Sequence, residues 1–563
     1  MTRPGVIGTM AIGVGLALGG CANPPDRVEA VRAGLLLEAR ASWWGFDPTN
    51  STRCLQAAID SGVPRLIVDN LRRPWIVDPI VLASNQELVF ADGVCVLARP
   101  GGFHGRGDSL FTADRKTNLV LRGEGQAVLR MNKADYQDPS RYAPAEHRMV
   151  IALRAVRDVR VVNLTLQSSG GDGIYVGGYG TNGYCENVLI DRVVCDDHHR
   201  LGMAVISAAN LTVRDSVFKN TRGTNPNSGV DMEPNYPGER LSGIRFENCV
   251  FENNTLAGLY ISCGLNGEAE PVGITARHCV FRGNANGLNI AFHSKTTPPR
   301  GSVEFLDCEF YGNGAGISLN DPAAEGASVA FIRCTLSADT ASCPFAVMGA
   351  ARERIGNLHV SDLVVRTPAG CRSPVSFGSA PGAALTNITG RLLWDRGGQT
   401  SVLDLAELIR SSAWAPYTSA ALDAGALRPN AKGSPVERPI RVRTRAPFRF
   451  LQALDAGRTA TLAFDMVPVW TWKGVKKVPV RVMVTGPDGA ALDAFEATPE
   501  NGPRHTYRLA AGPAGIYRLD ADVDPWMAVA VSSDTPGHGY WVYDKLAMST
   551  PSGTLYFQVP AGV

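Results

Sequence analysis

Gly258-Leu259-Tyr260-Ile261-Ser262 returns in kind as Gly287-Leu288-Asn289-Ile290-Ala291, and again as Gly316-Ile317-Ser318-Leu319-Asn320. Working backwards, the same pattern stands at Gly229-Val230-Asp231-Met232-Glu233, Gly202-Met203-Ala204-Val205-Ile206 and Gly173-Ile174-Tyr175-Val176-Gly177, so that the glycines recur at a nearly constant interval. In all six the first and third positions after the glycine are apolar, while the second and fourth vary. That alternation is the mark of a strand with one buried face. A fixed period of about 20 to 50 residues marks a solenoid, in which each repeat buries its apolar face only against its neighbours.

Further strand sequence lies upstream of each glycine, in "GIRFENCVF", "GITARHCVF", "SVEFLDCEF" and "SVAFIRCTL". These place Cys249, Cys279, Cys308 and Cys334 just before Phe251, Phe281, Phe310 and Leu336, on the same strand parity. Such a column of small, apolar-like thiols reads as a packing ladder rather than as disulfides. Cys185 paired with Cys195 or Cys263 stays open as a bridge. Two or more strands per repeat, no intervening helix, and turns built on Asn254, Asn284 and Asn313 predict a coiled parallel sheet. The chain here resembles the right-handed parallel β-helices of the pectate-lyase-like superfamily. The resemblance implies a polysaccharide-active protein.

The N-terminal segment, "MTRPGVIGTMAIGVGLALGGC", carries an early Arg3, a short apolar stretch and Leu18-Gly19-Gly20 before Cys21. The segment is similar to bacterial lipoprotein signals, with Cys21 as the residue to be acylated. It predicts a protein anchored by lipid in the bacterial cell envelope, with no other membrane segment. Residues 22–110 read as an N-terminal cap with the first coils. There Asn50 or Ser51 caps a short helix that places Cys54, Leu55, Ala58 and Ile59 on one face. Residues 111–396 form the β-helix body, and 397–435 a helix and linker. Residues 436–563 show short alternating strands, which predict a β-sandwich of the accessory type. Trp470 and Trp472 share strand parity there, as a sugar platform or as core. The expected class is therefore all-β: a right-handed parallel β-helix with a helical cap and a C-terminal β-sandwich.

With 563 residues, 45% of them apolar, the chain can bury a large core. A net charge of +2 gives no global attraction to nucleic acid, so any electrostatic selectivity is local. The local exception is sharp. Five of the six repeats carry no charge at the two variable positions; the sixth carries Asp231 and Glu233 in "NSGVDMEPN". Residues two apart on a strand project to one side with α-carbons about 6.7 Å apart. Two carboxylates so placed repel, which raises one pKa and suits an acid/base pair or a cation site.

The preceding repeat supplies "CDDHHRLG", with Asp196, Asp197, His198, His199 and Arg200 in the turn before Gly202. Asp172 precedes the first glycine. Tyr175, Tyr260 and Asn289 share the outward column of Asp231. Lengthened connections contribute Arg222, Tyr236, Arg240, His293 and Lys295 as groove-lining candidates. In the hydrolase reading, Asp231 and Glu233 are the catalytic pair, with Asp196 or Asp197 as substitute. His198, His199, Arg200, Arg222 and His293, together with Asp172, Tyr175, Tyr260 and Asn289, then bind substrate, and no cofactor is required. The resemblance to polygalacturonases supports this through "DGI" followed by "CDDHHR", although Gly171-Asp172 replaces their Asn-Thr-Asp and no Gly-His-Gly or Arg-Ile-Lys follows. In the lyase reading, Asp172, Asp196, Asp197, Asp231 and Glu233 hold Ca2+ against a uronate, and Arg222, His199 or Lys219 is the base. A third reading is a surface protein that binds glycan without turning it over. The expected partner in all three is a poly- or oligosaccharide.

Overall fold

The computed structural model describes residues 24–180, 183–263, 270–292, 297–349, 354–379, 384–411, 448–468, 479–497, 504–523, 527–535 and 538–542. Cys21, His293, Lys295, Trp470 and Trp472 lie outside the described residues, as does the 397–435 region beyond Ser411. The chain divides into two compact units at residue 418. Among the described residues no helix is long and apolar enough to cross a membrane.

The first unit is a parallel β-helix. One sheet has eleven strands stacked in strict chain order, from Ile80–Val81 to Val375–Ser379. The glycine repeats form its centre: Asp172–Gly177, Leu201–Val205, Ser228–Met232, Ala257–Ser262, Asn286–Ala291 and Ala315–Asn320. Each coil adds two further parallel strands, as in Ala208–Arg214 and Val217–Lys219. The upstream sequence stretch is thus two strands rather than one. In "GIRFENCVF" the chain leaves Ile244–Glu247 through Asn248, at φ 54°, and enters Val250–Glu252. His278, Asp307 and Arg333 turn the same corner at φ 51–54°. Left-handed backbone there breaks a strand without breaking its apolar alternation, so the pattern alone conceals the corner.

Three columns of side chains fix the coils one upon the next. Cys249, Cys279, Cys308 and Cys334 follow the corners, fully buried and free, their thiols directed at backbone carbonyls. Cys185, Cys195 and Cys263 are also free. Phe218, Phe251, Phe281 and Phe310 stack with centroids 5.6, 4.7 and 4.5 Å apart and planes within 17° of parallel. Asn254 donates to Asn284 at 2.9 Å and Asn284 to Asn313 at 3.1 Å, satisfying buried amides along the turn.

The repeat glycines have a steric cause. None of the six has a positive φ. A Cβ at Gly202, Gly229, Gly258 or Gly287 would instead stand 2.5–2.8 Å from the carbonyl oxygen of the equivalent glycine in the following coil. No side chain fits that approach without separating the coils, so the column sets their pitch.

Both ends of the coil stack are closed. The helix Thr52–Asp60 buries Leu55, Ala58 and Ile59 and leaves Cys54 half-buried; the Asn50 side chain accepts from the Thr52 N–H. At the other end Ala384–Arg396 pairs antiparallel with Gln399–Asp404, and the helix Leu405–Ser411 sets Leu405 into the core. The second unit has a five-stranded and a three-stranded antiparallel sheet, whose inward residues, Phe448, Phe450 and Leu519 from one and Leu462, Phe464 and Val529 from the other, share one core. It is a β-sandwich.

Candidate functional site

The outward column of the central sheet runs Tyr175, Ala204, Asp231, Tyr260, Asn289 in direct register. Asp231 is therefore flanked one coil away by a tyrosine and, on the other side, by the methyl of Ala204. Glu233 follows just past the end of its strand, tied by its N–H to the Val205 carbonyl at 3.1 Å.

Arg200 organises the cluster. Its N–H bonds the Gly171 carbonyl at 3.0 Å, and its side chain, only 13% exposed, turns over the face of the sheet. The guanidinium stands 3.4 Å from Glu146, 3.6 Å from Asp172 and 3.7 Å from Glu233. One cation thus serves a group of carboxyls that also includes Asp231, whose acidity it and Asp172 perturb. All three ion pairs are longer than the roughly 2.7–2.9 Å of a strong charge-assisted hydrogen bond.

The carboxyls form two layers. Asp172 and Asp231 are each 1% exposed. Neither oxygen of Asp172, nor Oδ1 of Asp231, has a hydrogen-bond partner. Glu146 and Glu233 keep 50% and 40% of their side chains in solvent. Burial pushes Asp172 up to about 7, against the pull of Arg200. Asp231 is raised well above its ordinary range by burial first and by Glu233 second; Glu233 is raised by burial, opposed by Arg200. Burial without a close hydrogen-bond donor disfavours the charged form, and two adjacent acids titrate as one system.

This predicts a pH-dependent stability effect. A carboxyl whose folded pKa lies above its unfolded value favours folding at low pH and loses that advantage as pH rises from the unfolded pKa through the folded one. Asp172→Asn removes the ionisable group without removing its volume. Thermal melts are expected to show a gain over the parent protein at pH 8 that is absent near pH 3, below the ordinary carboxyl range. A gain of equal size at both pH values would mean that folding leaves the Asp172 pKa unraised.

The sequence-derived residues separate into those the fold brings together and those it does not. Asp172, Arg200, Asp231 and Glu233 converge, with Tyr175 and Tyr260 beside them. Asp231 is buried, at 1% exposure, not solvent-facing as two outward positions predict, and lies near enough to Arg200 for the guanidinium to act on its charge. Asp197, in a turn at φ 61°, points away and is held by Lys133 Nζ at 2.7 Å and the Ser168 hydroxyl at 3.1 Å. Asp196 lies on the Val194–Asp196 strand of the other sheet, where Asn220 donates to it. The five acids therefore do not converge on one cation, and no group of three or more metal-ligating side chains occurs among the described residues. His198 is a core residue, fully buried, bonded to the Ser169 hydroxyl and kept neutral by burial, with its pKa lowered to about 3. His199 meets Gln137 at 3.0 Å, and Arg222 donates to Asn253.

Two parts of the site lie outside the sequence reading. One is Glu146. The other is a rim of tyrosine–arginine pairs, Arg154 over Tyr175 at 5.9 Å, Arg115 over Tyr179 at 4.9 Å and Arg240 over Tyr184 at 4.1 Å, of which the sequence singles out only Tyr175 and Arg240 and not the pairing. Buried Glu239 organises the last loop by accepting the N–H groups of Asn235 and Tyr236.

Residues 147–335 match the family described as right handed beta helix region, in agreement with the coil architecture. No curated protein matches the chain. Among solved structures, the surface adhesin PfbA of Streptococcus pneumoniae is 13% identical, covering 64% of this chain and 89% of its own, at a TM-score of 0.46. A family 28 exopolygalacturonase of Yersinia enterocolitica is 13% identical over 64% of this chain and 77% of its own, at 0.39. The tailspike gp49 of Acinetobacter baumannii bacteriophage Fri1, a capsular polysaccharide depolymerase, is 14% identical over 88% of each chain, at 0.37. Likeness at this level assigns no chemistry to this chain.

Proposed function

We propose that the protein is a polysaccharide hydrolase whose proton donor is the Asp231–Glu233 pair. The observation that carries this reading is the two-layered carboxyl cluster around Arg200: a buried acid, Asp231, whose proton affinity burial and Glu233 raise, two residues from the partly exposed Glu233 on one coil of a rigid scaffold. A glycosidase needs a carboxylic acid that stays protonated near neutral pH to protonate the departing oxygen. Glu233 reaches solvent and is the member that touches the sugar. Asp231, the buried member, has its own pKa raised by Glu233, so the two carboxyls hold a proton between them.

The tyrosines and the Tyr–Arg rim support a glycan partner, since aromatic faces stack on sugar rings and guanidinium groups bond hydroxyls and carboxylates. The calcium-lyase reading loses support from the dispersal of its five acids and from its proposed bases, since His199 and Arg222 are engaged elsewhere and Lys219 lies 3.8 Å from Asp196. The Cys21 motif places the enzyme, in this proposal, on the cell envelope by a lipid anchor.

The test is incubation of the signal-free protein with neutral and uronate polysaccharides, with and without chelator. New reducing ends and ultraviolet absorbance of unsaturated products are recorded together. Reducing ends without absorbance, unaffected by chelator, are expected. Absorbance lost on chelation would reverse the assignment to a lyase, and binding without cleavage would make the protein a glycan receptor.

A further inference from the structure

We infer that Glu146 is the second catalytic carboxylate, acting on the opposite side of Arg200 from Glu233. The inference rests on the hydrolase reading, which leaves one role unfilled: after the donor, a carboxylate must activate water or attack the anomeric carbon. Asp172 is sealed beneath Arg200, and Asp196 and Asp197 are directed elsewhere. Among the acids around Arg200, only Glu146 and Glu233 are substantially open to solvent.

Glu146 arrives on an excursion of the chain between the strands Val128–Arg130 and Ile151–Arg154. The excursion is anchored at each stage. Lys133 reaches Asp197 and the His198 carbonyl, Gln137 reaches His199, and the Tyr142 hydroxyl donates to the Gly102 carbonyl at 3.0 Å. Arg148, fully buried, donates to the carbonyls of Phe103, His104 and Ala143 and lies over the rings of Tyr136 and Tyr142. A Cβ at Gly171 would stand 2.2 Å from the Glu146 carbonyl oxygen, so the glycine admits the excursion to this place. Ordinary surface acids are not delivered by so much buried structure.

The two glutamates meet different nitrogens of one guanidinium, Glu146 at Nε and Glu233 at Nη2. Their contact distances of 3.4 and 3.7 Å and the width of the guanidinium set the contacting carboxylate oxygens no more than about 9.5 Å apart, a ceiling that admits the separations paired-carboxylate glycosidases use. Glu146 takes a proton from water as the water oxygen bonds to the anomeric carbon. The glycosidic C–O bond breaks, and Glu233 gives its proton to the departing oxygen. Solvent then restores both groups. In the covalent variant Glu146 itself bonds to the anomeric carbon before water releases it.

The roles differ in a way kinetics can read. The panel of polygalacturonate, alginate, xylan and dextran identifies the polymer that the parent protein cleaves, and the 2,4-dinitrophenyl glycoside of its sugar serves as a probe needing no proton donor. Glu233→Gln is expected to lose activity on the polymer and keep most of it on the probe. Glu146→Gln is expected to lose at least 100-fold on both, with an unchanged melting temperature, and Glu146→Ala to regain turnover with added azide. Full polymer activity in Glu146→Gln alongside an inactive Glu233→Gln would overturn the role of Glu146 and leave the hydrolase reading standing. A parent protein inert on every polymer would instead remove that reading.

Discussion

Asp231→Asn is expected to reduce kcat on the polymer by about 100- to 10,000-fold, the range that general acid–base groups contribute. The direction follows from burial. Asp231 has an oxygen without a partner and is raised well above the ordinary carboxyl range. Its proton affinity, raised by burial and by Glu233, makes the two carboxyls one coupled system when Glu233 is called on to donate. Asparagine keeps the volume and a polar outline but removes the titration that couples the pair. Loss of turnover should come without loss of the fold, because a neutral amide is no worse buried than an acid with an unpaired oxygen. Steady-state kinetics on the cleaved polymer, with thermal melts of the same samples, checks both halves. Unimpaired turnover would move the chemistry off this face of the coil.

The largest expected loss of stability lies in the core of the coils rather than among the acids. Phe281 is fully buried, stacked between Phe251 and Phe310 with centroids 4.7 and 4.5 Å away, and meets Phe305 edge-on at 6.3 Å. Phe281→Ala is expected to destabilise the solenoid by about 3–5 kcal/mol, the usual cost of deleting a buried ring when its surroundings cannot collapse. Here they cannot, since backbone ladders and the glycine column fix the spacing of the coils on either side. Denaturant melts of the full chain followed through the β-helix signal measure it. A loss below about 1 kcal/mol would mean that the coils close over the gap, against the rigidity assigned to them.

These two positions also show what the residues alone disclose. Phe281 belongs to a periodic column, and periodicity is readable because each coil solves the same packing problem with the same residue types. Asp231 and Glu233 are readable for the opposite reason, as charges in a column otherwise neutral. Arg200 is visible as a residue but not in its role: next to two histidines it reads as a ligand for sugar, whereas the fold turns it over the acids as their counter-charge. Asp196 and Asp197 are adjacent in sequence, yet one lies in a strand and the other in a left-handed turn, so they diverge. Glu146 stands in no repeat, and the only trace of it is the unusual length of chain between Arg130 and Ile151.

The glycine column has an evolutionary consequence. Because five of the six repeat glycines make their close approach to their counterpart in the next coil, the contact is indifferent to which coil supplies the partner. Whole coils can then be duplicated or lost with each new junction ready-made, whereas a partial insertion within a strand places a Cβ against a carbonyl oxygen. The face can lengthen by duplication of coils beyond the stretch from Glu146 to Glu233 while the acid cluster stays intact, so that, if the protein is a hydrolase, the number of sugars gripped can change independently of the bond that is cut.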